Sequence, residues 1–388
     1  MEKIVKKRLL DAIFYMAILI EVMIVILDKS AYIIQYESYW FRLTFALFVI
    51  KACFNKYTPK QWIGFLGAGV IAVISYKVTG RNEMLRIIAL IAACKDMEPK
   101  RLLKTIFWTT LAGCIVLVVL SLTGIMGTVA ITSEFRVDVV QTRYCFGMGH
   151  PNAFHCMVWA LMTLGCYIYR DKLKLWHYLV LFAGNIIVFI FTDSRTAVLV
   201  TALVIILFAI AYRFRTLADS KWVYIGGIIM IIASVFGTII LCESLEYSTL
   251  VQKINEKLSL RILAVEIAEN AMPTEWVAFG LHENTGYFDM GIARLFYWYG
   301  WIPALSYVVM NIHLVIVAYK KKDAALAILV TTFMIYTVIE AHLISDYLLR
   351  NYLFVLYGLA LTVSHEEKDR KPEYYLWDIR YLKKRVKA

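Results

Sequence analysis

The chain has 388 residues, of which 61% are hydrophobic and 18% charged, with 41 Lys and Arg, 29 Asp and Glu and a formal net charge of +12. A soluble globular chain is usually about 45–50% apolar and about 25% charged, so this composition excludes a disordered protein, a disulfide-rich secreted scaffold and an ordinary cytosolic enzyme. Near-continuous apolar runs such as 105–122 indicate helices that cross a lipid bilayer.

About twelve apolar segments follow one another along the chain. They predict an all-α fold, a polytopic bundle of transmembrane helices. We expect the fourth segment, which contains Arg86, to be tilted or buried among its neighbours, and the tenth to project beyond the bilayer. The segments are 10–27, 38–54, 61–78, 83–94, 102–123, 152–169, 174–192, 195–212, 222–242, 289–318, 324–341 and 345–363.

We expect one transmembrane domain over 1–364 and a cytoplasmic tail over 365–388. The tail mixes aromatic and basic residues, which is typical of a helix on the inner membrane surface. No small-residue cleavage site follows the first apolar segment, so we expect that segment to remain as a span. The seven Cys lack the spacing of metal ligands, so we interpret them as small buried hydrophobic residues and expect no metal site.

Basic residues are divided unevenly between the two predicted sides. If the N-terminus is inside and the segments alternate, 28 of the 41 Lys and Arg lie inside and 13 outside. This bias predicts that both termini are cytoplasmic. Nine of the 13 outer basic residues are Arg, whose planar guanidinium suits bidentate binding of phosphate. The outer face is therefore a candidate anion site, and snorkelling or pairing of single arginines with acids is the alternative.

Two predicted outer connections, 124–151 and 243–288, are much longer than the others. Long loops within a compact domain are usually functional. The first ends with Arg143, two glycines, His150 and Pro151, and Pro suits the first position of a helix. Because a helix N-terminus carries unpaired N–H groups, we expect an anion site here, with simple capping of the helix as the alternative.

A second outer helix is predicted to begin near Asp193 or Ser194, both good N-cap residues. Arg195 follows directly. Arg143 and Arg195 are therefore candidate ligands of one anion, again with helix capping as the alternative reading of the motif.

The long connection 243–288 has apolar residues at helical spacing over roughly 250–270. Its basic face includes Arg261, and we expect an amphipathic helix on the outer membrane surface or a lid over the protein. His282 and Glu283 follow, and Arg294 comes soon afterwards in the tenth segment. His282 or Glu283 could act as a base, and together with the two arginines, Arg261 and Arg294, they form a candidate catalytic pattern.

Motifs of other chemistries are missing from the sequence. It contains no P-loop, no strand-associated dinucleotide motif, no GxSxG elbow and no HExxH zinc motif. We therefore expect no cofactor, no metal and no nucleic-acid partner.

The order of these motifs resembles the Wzy-type bacterial polysaccharide polymerases, which are related to the O-antigen ligases. The resemblance covers roughly 80–363. It rests on an Arg–x3–Gly–x–Gly–His–Pro–Asn stretch at 143–152 and a Thr–x–Ser–Arg–Thr stretch at 192–196. It also rests on Arg261 and Gly280 in the long second loop, on Asp289 and an aromatic Gly–Trp–Ile–Pro pattern at 297–303, and on two late polar residues, Glu340 and Asn351.

The resemblance implies a glycosyltransferase at the extracytoplasmic face of the plasma membrane that polymerises oligosaccharide repeat units of O-antigen, capsule or exopolysaccharide. The donor and the acceptor would both be glycans linked to undecaprenyl diphosphate. Membrane lipids are expected partners, and a chain-length regulator and a flippase are candidate protein partners. The reaction would use no nucleotide sugar and no metal.

Within that reaction we expect the arginines to bind the diphosphate leaving group and a base to assist the acceptor hydroxyl. The candidate diphosphate ligands are Arg143, Arg195, Arg261 and Arg294, and the candidate catalytic residues are His282, Glu283 and, in reserve, His150. The loop 243–288 has one clear Arg where the family pattern often has two, and Arg294 is the candidate substitute.

Two other functions fit a chain with about twelve spans. A flippase or another transporter of lipid-linked oligosaccharides would carry charge along a central cavity and show two similar halves. A membrane O-acyltransferase would need a route for acyl-CoA from the cytoplasm, whereas the inner loops here are short and basic.

Overall fold

A computed structural model of the chain describes residues 2–136, 139–214, 216, 220–362 and 373–375. Helices dominate these residues. They are α1 (Glu2–Lys29), α2 (Glu37–Cys53), α3 (Pro59–Thr79), α4 (Glu83–Ala93), α5 (Pro99–Leu122), α6 (Pro151–Tyr169), α7 (Leu175–Thr192), α8 (Arg195–Arg213), α9 (Lys221–Glu243), α10 (Thr249–Lys257), α11 (Arg261–Glu266), α12 (Gly291–Tyr299), α13 (Trp301–Lys320), α14 (Ala324–Ile339) and α15 (Leu353–Thr362).

Within the described part of the chain, seven helices are long and apolar enough to cross a membrane, by length and composition. These are α1, α3, α5, α7, α8, α9 and α13. The prediction of a helical membrane bundle is confirmed at this level. Each of the twelve apolar segments coincides with at least one helix, but several of these helices are short, so the count of twelve spans stays a prediction.

The prediction of a purely helical chain misses a β-hairpin in the first long connection. Strands β1 (Ala130–Arg136) and β2 (Val139–Tyr144) pair antiparallel, and Thr132 and Thr142 share a hydrogen bond of 2.8 Å between their hydroxyls. Apolar and polar residues are mixed in this stretch, so no long apolar run points to it. A two-stranded ladder can exist here because its free edges can face water rather than lipid.

The tenth predicted segment is two helices rather than one. Gly300 separates α12 from α13 with φ of +83°, and its Cα lies so close to the chain at Phe279 that an added Cβ would be 2.4 Å from the Phe279 Cα. The amides of Trp301 and Ile302 donate to carbonyls of 277–278, so the break keeps its hydrogen bonds satisfied. The break fixes the direction of α12.

Two other predicted helices are also interrupted. The stretch 250–270 forms α10 and α11, separated by Ser259 and Leu260 with positive φ. The twelfth segment begins with the 3-10 turn Leu348–Arg350 and becomes α-helical only at Leu353. In both places the apolar periodicity continues through a local break that the sequence pattern does not show.

Helix α14 is the centre of the bundle. It packs against α8, α9 and α13, and its residues are buried on nearly every side. Trp159 of α6 packs on Phe333 and Tyr336 of α14, with ring centroids 4.7 and 4.6 Å apart. A helix without charged residues that is buried on nearly every side belongs in a bundle interior, and its C-terminal end leads directly into the candidate site.

The fourth segment was expected to be tilted or buried among its neighbours, and in α4 the side chain of Arg86 is buried. Arg86 of α4 lies 3.2 Å from Glu21 of α1, and Glu21 also accepts from the Thr44 hydroxyl of α2 at 2.5 Å. The other end of the guanidinium donates to the Asp346 carbonyl at 2.7 Å. Charges buried in a bundle require such partners, and this set ties three helices to the segment after α14.

Only a short piece of the predicted tail is described. Tyr374 pairs with Tyr57 through two backbone hydrogen bonds, and Glu373 forms an ion pair of 2.6 Å with Lys95. The predicted surface helix falls on 365–372 and 376–388, which lie outside the described residues, so that helix and the domain boundary at 364 stay predictions.

Candidate functional site

The segment after α14 gathers two of the predicted arginines. Arg261, the first residue of α11, forms ion pairs of 3.1 Å with both Asp289 and Glu340, and it donates to the Ile339 carbonyl. Its side chain is buried, so its charge is compensated by the two carboxylates rather than by water. The second long connection is thereby fastened to the C-terminal end of α14.

Arg294 of α12 binds the same segment from the other side. Its guanidinium is fully buried and donates to the carbonyls of Ala341 and Ile344. The aromatic rings of Tyr287 and Trp298 lie 4.1 and 4.5 Å from its Cζ. No carboxylate among the described residues pairs with Arg294, and its Nε and Nη1 have no acceptor there. Such orphan donors on a cation are what an anionic ligand would satisfy.

Arg143 approaches from the hairpin. It lies on β2, forms an ion pair of 3.3 Å with Asp193, and donates to the Gln141 side chain. Its guanidinium also lies 4.4 Å from the ring centroid of Phe135. Asp193 ends α7 in the left-handed conformation, with φ of +46°, so the predicted capping carboxylate is used by Arg143 instead.

Arg195 is the first residue of α8 and is exposed, two residues from the Asp193 partner of Arg143. No ion pair joins Arg195 to another residue of the described ranges. Ser194 occupies the N-cap position, but its side chain accepts no capping hydrogen bond. The predicted start of this helix is correct to the residue, while the predicted cap chemistry is not seen.

His150 caps α6. Its Nδ1 accepts a hydrogen bond of 3.2 Å from the Asn152 amide, and its ring lies 5.8 Å from that of Phe135. Burial lowers the pKa of His150, Asp289 opposes this, and Arg143, Arg261 and Lys29 lower the pKa further. His150 is therefore within electrostatic range of both loop arginines. In the neutral form with Nδ1 as acceptor, its Nε2 carries the hydrogen and can donate.

His282 and Glu283 lie at a different place from the arginines. The Nδ1 of His282 donates to the Thr79 carbonyl at 3.2 Å, and an added Cβ on Gly80 would touch the ring at 2.9 Å. Both His282 and Glu283 are exposed. Among the described residues, no hydrogen bond or ion pair connects either one to Arg143, Arg261 or Arg294. Their catalytic role stays a prediction.

Arg143, Arg261, Arg294 and His150 are called the arginine cluster below. Two further basic side chains, Lys29 and His342, lie within electrostatic range of it and were not singled out from the sequence. Lys29 ends α1, pairs with Asp28 at 3.0 Å, and its carbonyl lies near Gly149 beside His150. His342 follows the carbonyl that Arg294 binds, and burial, Lys29 and Arg294 all lower its pKa far below the usual range. For Lys29, the available signal was a lone Lys at the predicted outer end of α1. For His342, nothing in the sequence was a signal.

Arg350 extends the cluster. It is buried and forms an ion pair with Asp28, next to Lys29. Asn351, which the family resemblance singles out, donates to the Tyr307 hydroxyl at 2.7 Å. The described residues contain no group of three or more His, Cys, Asp or Glu that could hold a metal ion.

Comparison of the chain with protein-family models, with curated proteins and with solved structures finds no match.

Proposed function

We propose that this protein is a membrane glycosyltransferase that polymerises undecaprenyl-diphosphate-linked oligosaccharide repeat units at the outer face of the plasma membrane. The observation that carries the proposal is Arg294, a fully buried cation with two orphan N–H donors beside a second arginine, Arg261. Both arginines hold the same segment, 339–344. This site suits a ligand with several negatively charged oxygens, and a lipid diphosphate is such a ligand.

The reaction proposed here is a substitution at an anomeric carbon. The acceptor hydroxyl oxygen forms a bond to that carbon, the bond from the carbon to the diphosphate oxygen breaks, and the hydroxyl proton passes to a base. Negative charge grows on the leaving diphosphate. Arg294 and Arg261 would stabilise that charge, and the Nε2–H of His150 is a further donor toward it.

Tyr287 is the candidate gate to Arg294. Its side chain is 71% exposed yet covers the guanidinium at 4.1 Å. Rotation of this side chain would uncover Arg294 without moving a helix. A diphosphate could then take the place of the ring against the cation.

Several side chains are candidates for the base that accepts the hydroxyl proton. His150 serves better as a donor than as a base, because Nδ1 is already an acceptor for the helix cap. Asp289 is a partly exposed carboxylate paired with Arg261 and is a candidate base inside the cluster. His282 and Glu283 remain the candidates that the sequence predicts.

The test is polymer formation from purified lipid-linked repeat units by purified protein in liposomes. Asp289→Asn, His282→Ala and Glu283→Gln are compared with wild type. If Asp289 is the base, only the first variant loses activity, and loss in the other two alone would move the base to the 282–283 loop. Normal polymer from Arg261→Lys and Arg294→Lys together would refute the diphosphate site.

A further inference from the structure

A long groove runs along the lipid-facing side of α1, away from the arginine cluster. Its volume is about 940 Å³. Its wall along α1 runs from Arg8 to Leu27, which is about 28 Å at 1.5 Å per residue and therefore close to the thickness of a bilayer core of about 30 Å. Most of its lining is apolar, including the exposed side chains of Met16, Leu19 and Met23.

The two ends of the groove differ in charge. One end is bordered by Arg8 of α1 and Arg101 of α5, and the other by Tyr32, Gln35 and Trp40. The Arg101 guanidinium lies 5.2 Å from the ring of Tyr15, which also lines the groove. The groove is therefore apolar along its length and cationic at the end that the basic-residue bias predicts to be cytoplasmic.

Asp11 also borders the charged end, but it does not cancel the two arginines. It forms an ion pair of 3.2 Å with Lys51, whose side chain is almost completely buried. One acidic group is thus balanced by one Lys. Lys100 and Lys104 lie beside Arg101 on the first turns of α5 and add positive charge near this end, whereas Glu98 at the N-cap of α5 adds one negative charge.

We infer that this groove binds an anionic phospholipid of the cytoplasmic leaflet, with its phosphate at Arg8 and Arg101 and its acyl chains along Tyr15, Met16 and Leu19, in the half of the groove next to the arginines. Charge complementarity decides the occupant. An isoprenoid chain carries no charge away from its diphosphate, so it gives no role to two arginines at the far end of the groove. Basic residues are attracted to anionic lipid headgroups, so a groove with two of them favours an anionic headgroup over a zwitterionic one.

The inference is tested with the full-length protein in nanodiscs that contain a trace of phosphatidylglycerol bearing a photoreactive acyl chain. Crosslinked peptides are mapped by mass spectrometry, and the same experiment uses photoreactive phosphatidylcholine. We expect the phosphatidylglycerol label on 12–20 of α1, the half of the groove next to Arg8, with at least about tenfold less label from phosphatidylcholine at equal concentration. Equal labelling by the two lipids, or no label on α1, would overturn the inference.

Two variants separate the headgroup site from general membrane attraction. Arg8→Gln with Arg101→Gln is expected to reduce the phosphatidylglycerol label on α1 at least about tenfold. Arg213→Gln with Lys221→Gln removes two charges at the same predicted face, outside the groove, and is expected to leave the label unchanged. Equal loss in both pairs contradicts a specific site.

A third variant tests the acyl path. Leu19→Trp fills the groove and is expected to reduce the label, whereas Leu66→Trp, at an exposed position of α3 outside the groove, is not. Displacement of the label by undecaprenyl diphosphate, unaffected by the Arg8 and Arg101 changes, would assign the groove to an isoprenoid chain and overturn the inference. None of these readouts depends on the proposed polymerase activity.

Discussion

At the scale of single residues, Arg294 carries the functional argument. Its burial, its two backbone acceptors and its orphan donors distinguish it from Arg261, which already has two carboxylate partners. An arginine that is paired before substrate arrives must exchange partners to bind a diphosphate. Arg294 has no carboxylate to release, so it can add an anion at a lower cost.

Arg294→Lys is expected to reduce polymer formation at least tenfold while the protein still reaches the membrane. Lysine keeps the charge but lacks the planar fork that donates to two carbonyls and a ligand together, and a charged hydrogen bond contributes about 1.5–3 kcal/mol. The measurement is polymer length and amount from purified lipid-linked repeat units. Arg42→Lys, an exposed arginine at the same predicted face, is the matched control and should remain normal.

His150 should set part of the pH dependence. Its folded pKa lies below the usual 6.5, so protons bind the unfolded chain more readily. Its contribution to stability is therefore fully present above about pH 6.5 and declines as the pH falls below that value. Protonation would also break the Nδ1 cap of α6 and add a cation beside Arg143 and Arg261.

We expect wild-type activity to fall once the pH drops below the folded pKa of His150, which itself lies below 6.5, and His150→Asn to weaken that acid limb while keeping a capping acceptor. Rates across pH 5 to 8 in the same liposomes measure this. If the variant loses activity at low pH in the same way as wild type, protonation of His150 does not cause the loss.

At the scale of elements, the break between α12 and α13 positions Arg294. Gly300→Ala would place a Cβ 2.4 Å from the Phe279 Cα in a left-handed backbone conformation. We expect a loss of about 2 kcal/mol or more of stability, together with reduced activity, because α12 must shift. Gly237→Ala in α9, where an added Cβ meets nothing within 4 Å, is the control and should be neutral or slightly stabilising. Thermal unfolding in detergent compares the two, and an unchanged Gly300→Ala would show that the break tolerates a side chain.

The helices were predictable because a continuous apolar run, unlike the alternating pattern of a barrel strand, satisfies its backbone groups in lipid only as a helix. The break at Gly300 was not, because aromatic residues on both sides keep the run apolar. The hairpin 130–144 was missed because its apolar residues, such as Ile131, Phe135 and Val140, are interspersed with polar ones and form no long apolar run. Arg261 and Arg294 could be selected as outer arginines, but their meeting on 339–344 depends on the way α11, α12 and α14 pack, which no local pattern encodes.

For the whole molecule, the orientation in the membrane decides whether the arginine cluster can bind a lipid-linked glycan outside the cell. The 28-to-13 distribution of basic residues predicts that 243–288 is outside and that 170–174 is inside. In a background without the seven native Cys, Tyr247→Cys and Lys172→Cys place one thiol at each exposed site. We expect a membrane-impermeant maleimide on intact cells to label only the first. Labelling of only the second would invert the orientation.

The central claim is that the molecule itself forms glycosidic bonds between lipid-linked repeat units. The most direct measurement adds purified protein in liposomes to purified undecaprenyl-diphosphate-linked repeat units and follows the products by gel and by mass. We expect a ladder of polymers, each longer by one repeat unit, with release of free undecaprenyl diphosphate, and at least tenfold less of both with Arg294→Lys. Unchanged repeat units that only move from one leaflet to the other would contradict it and identify a transporter instead.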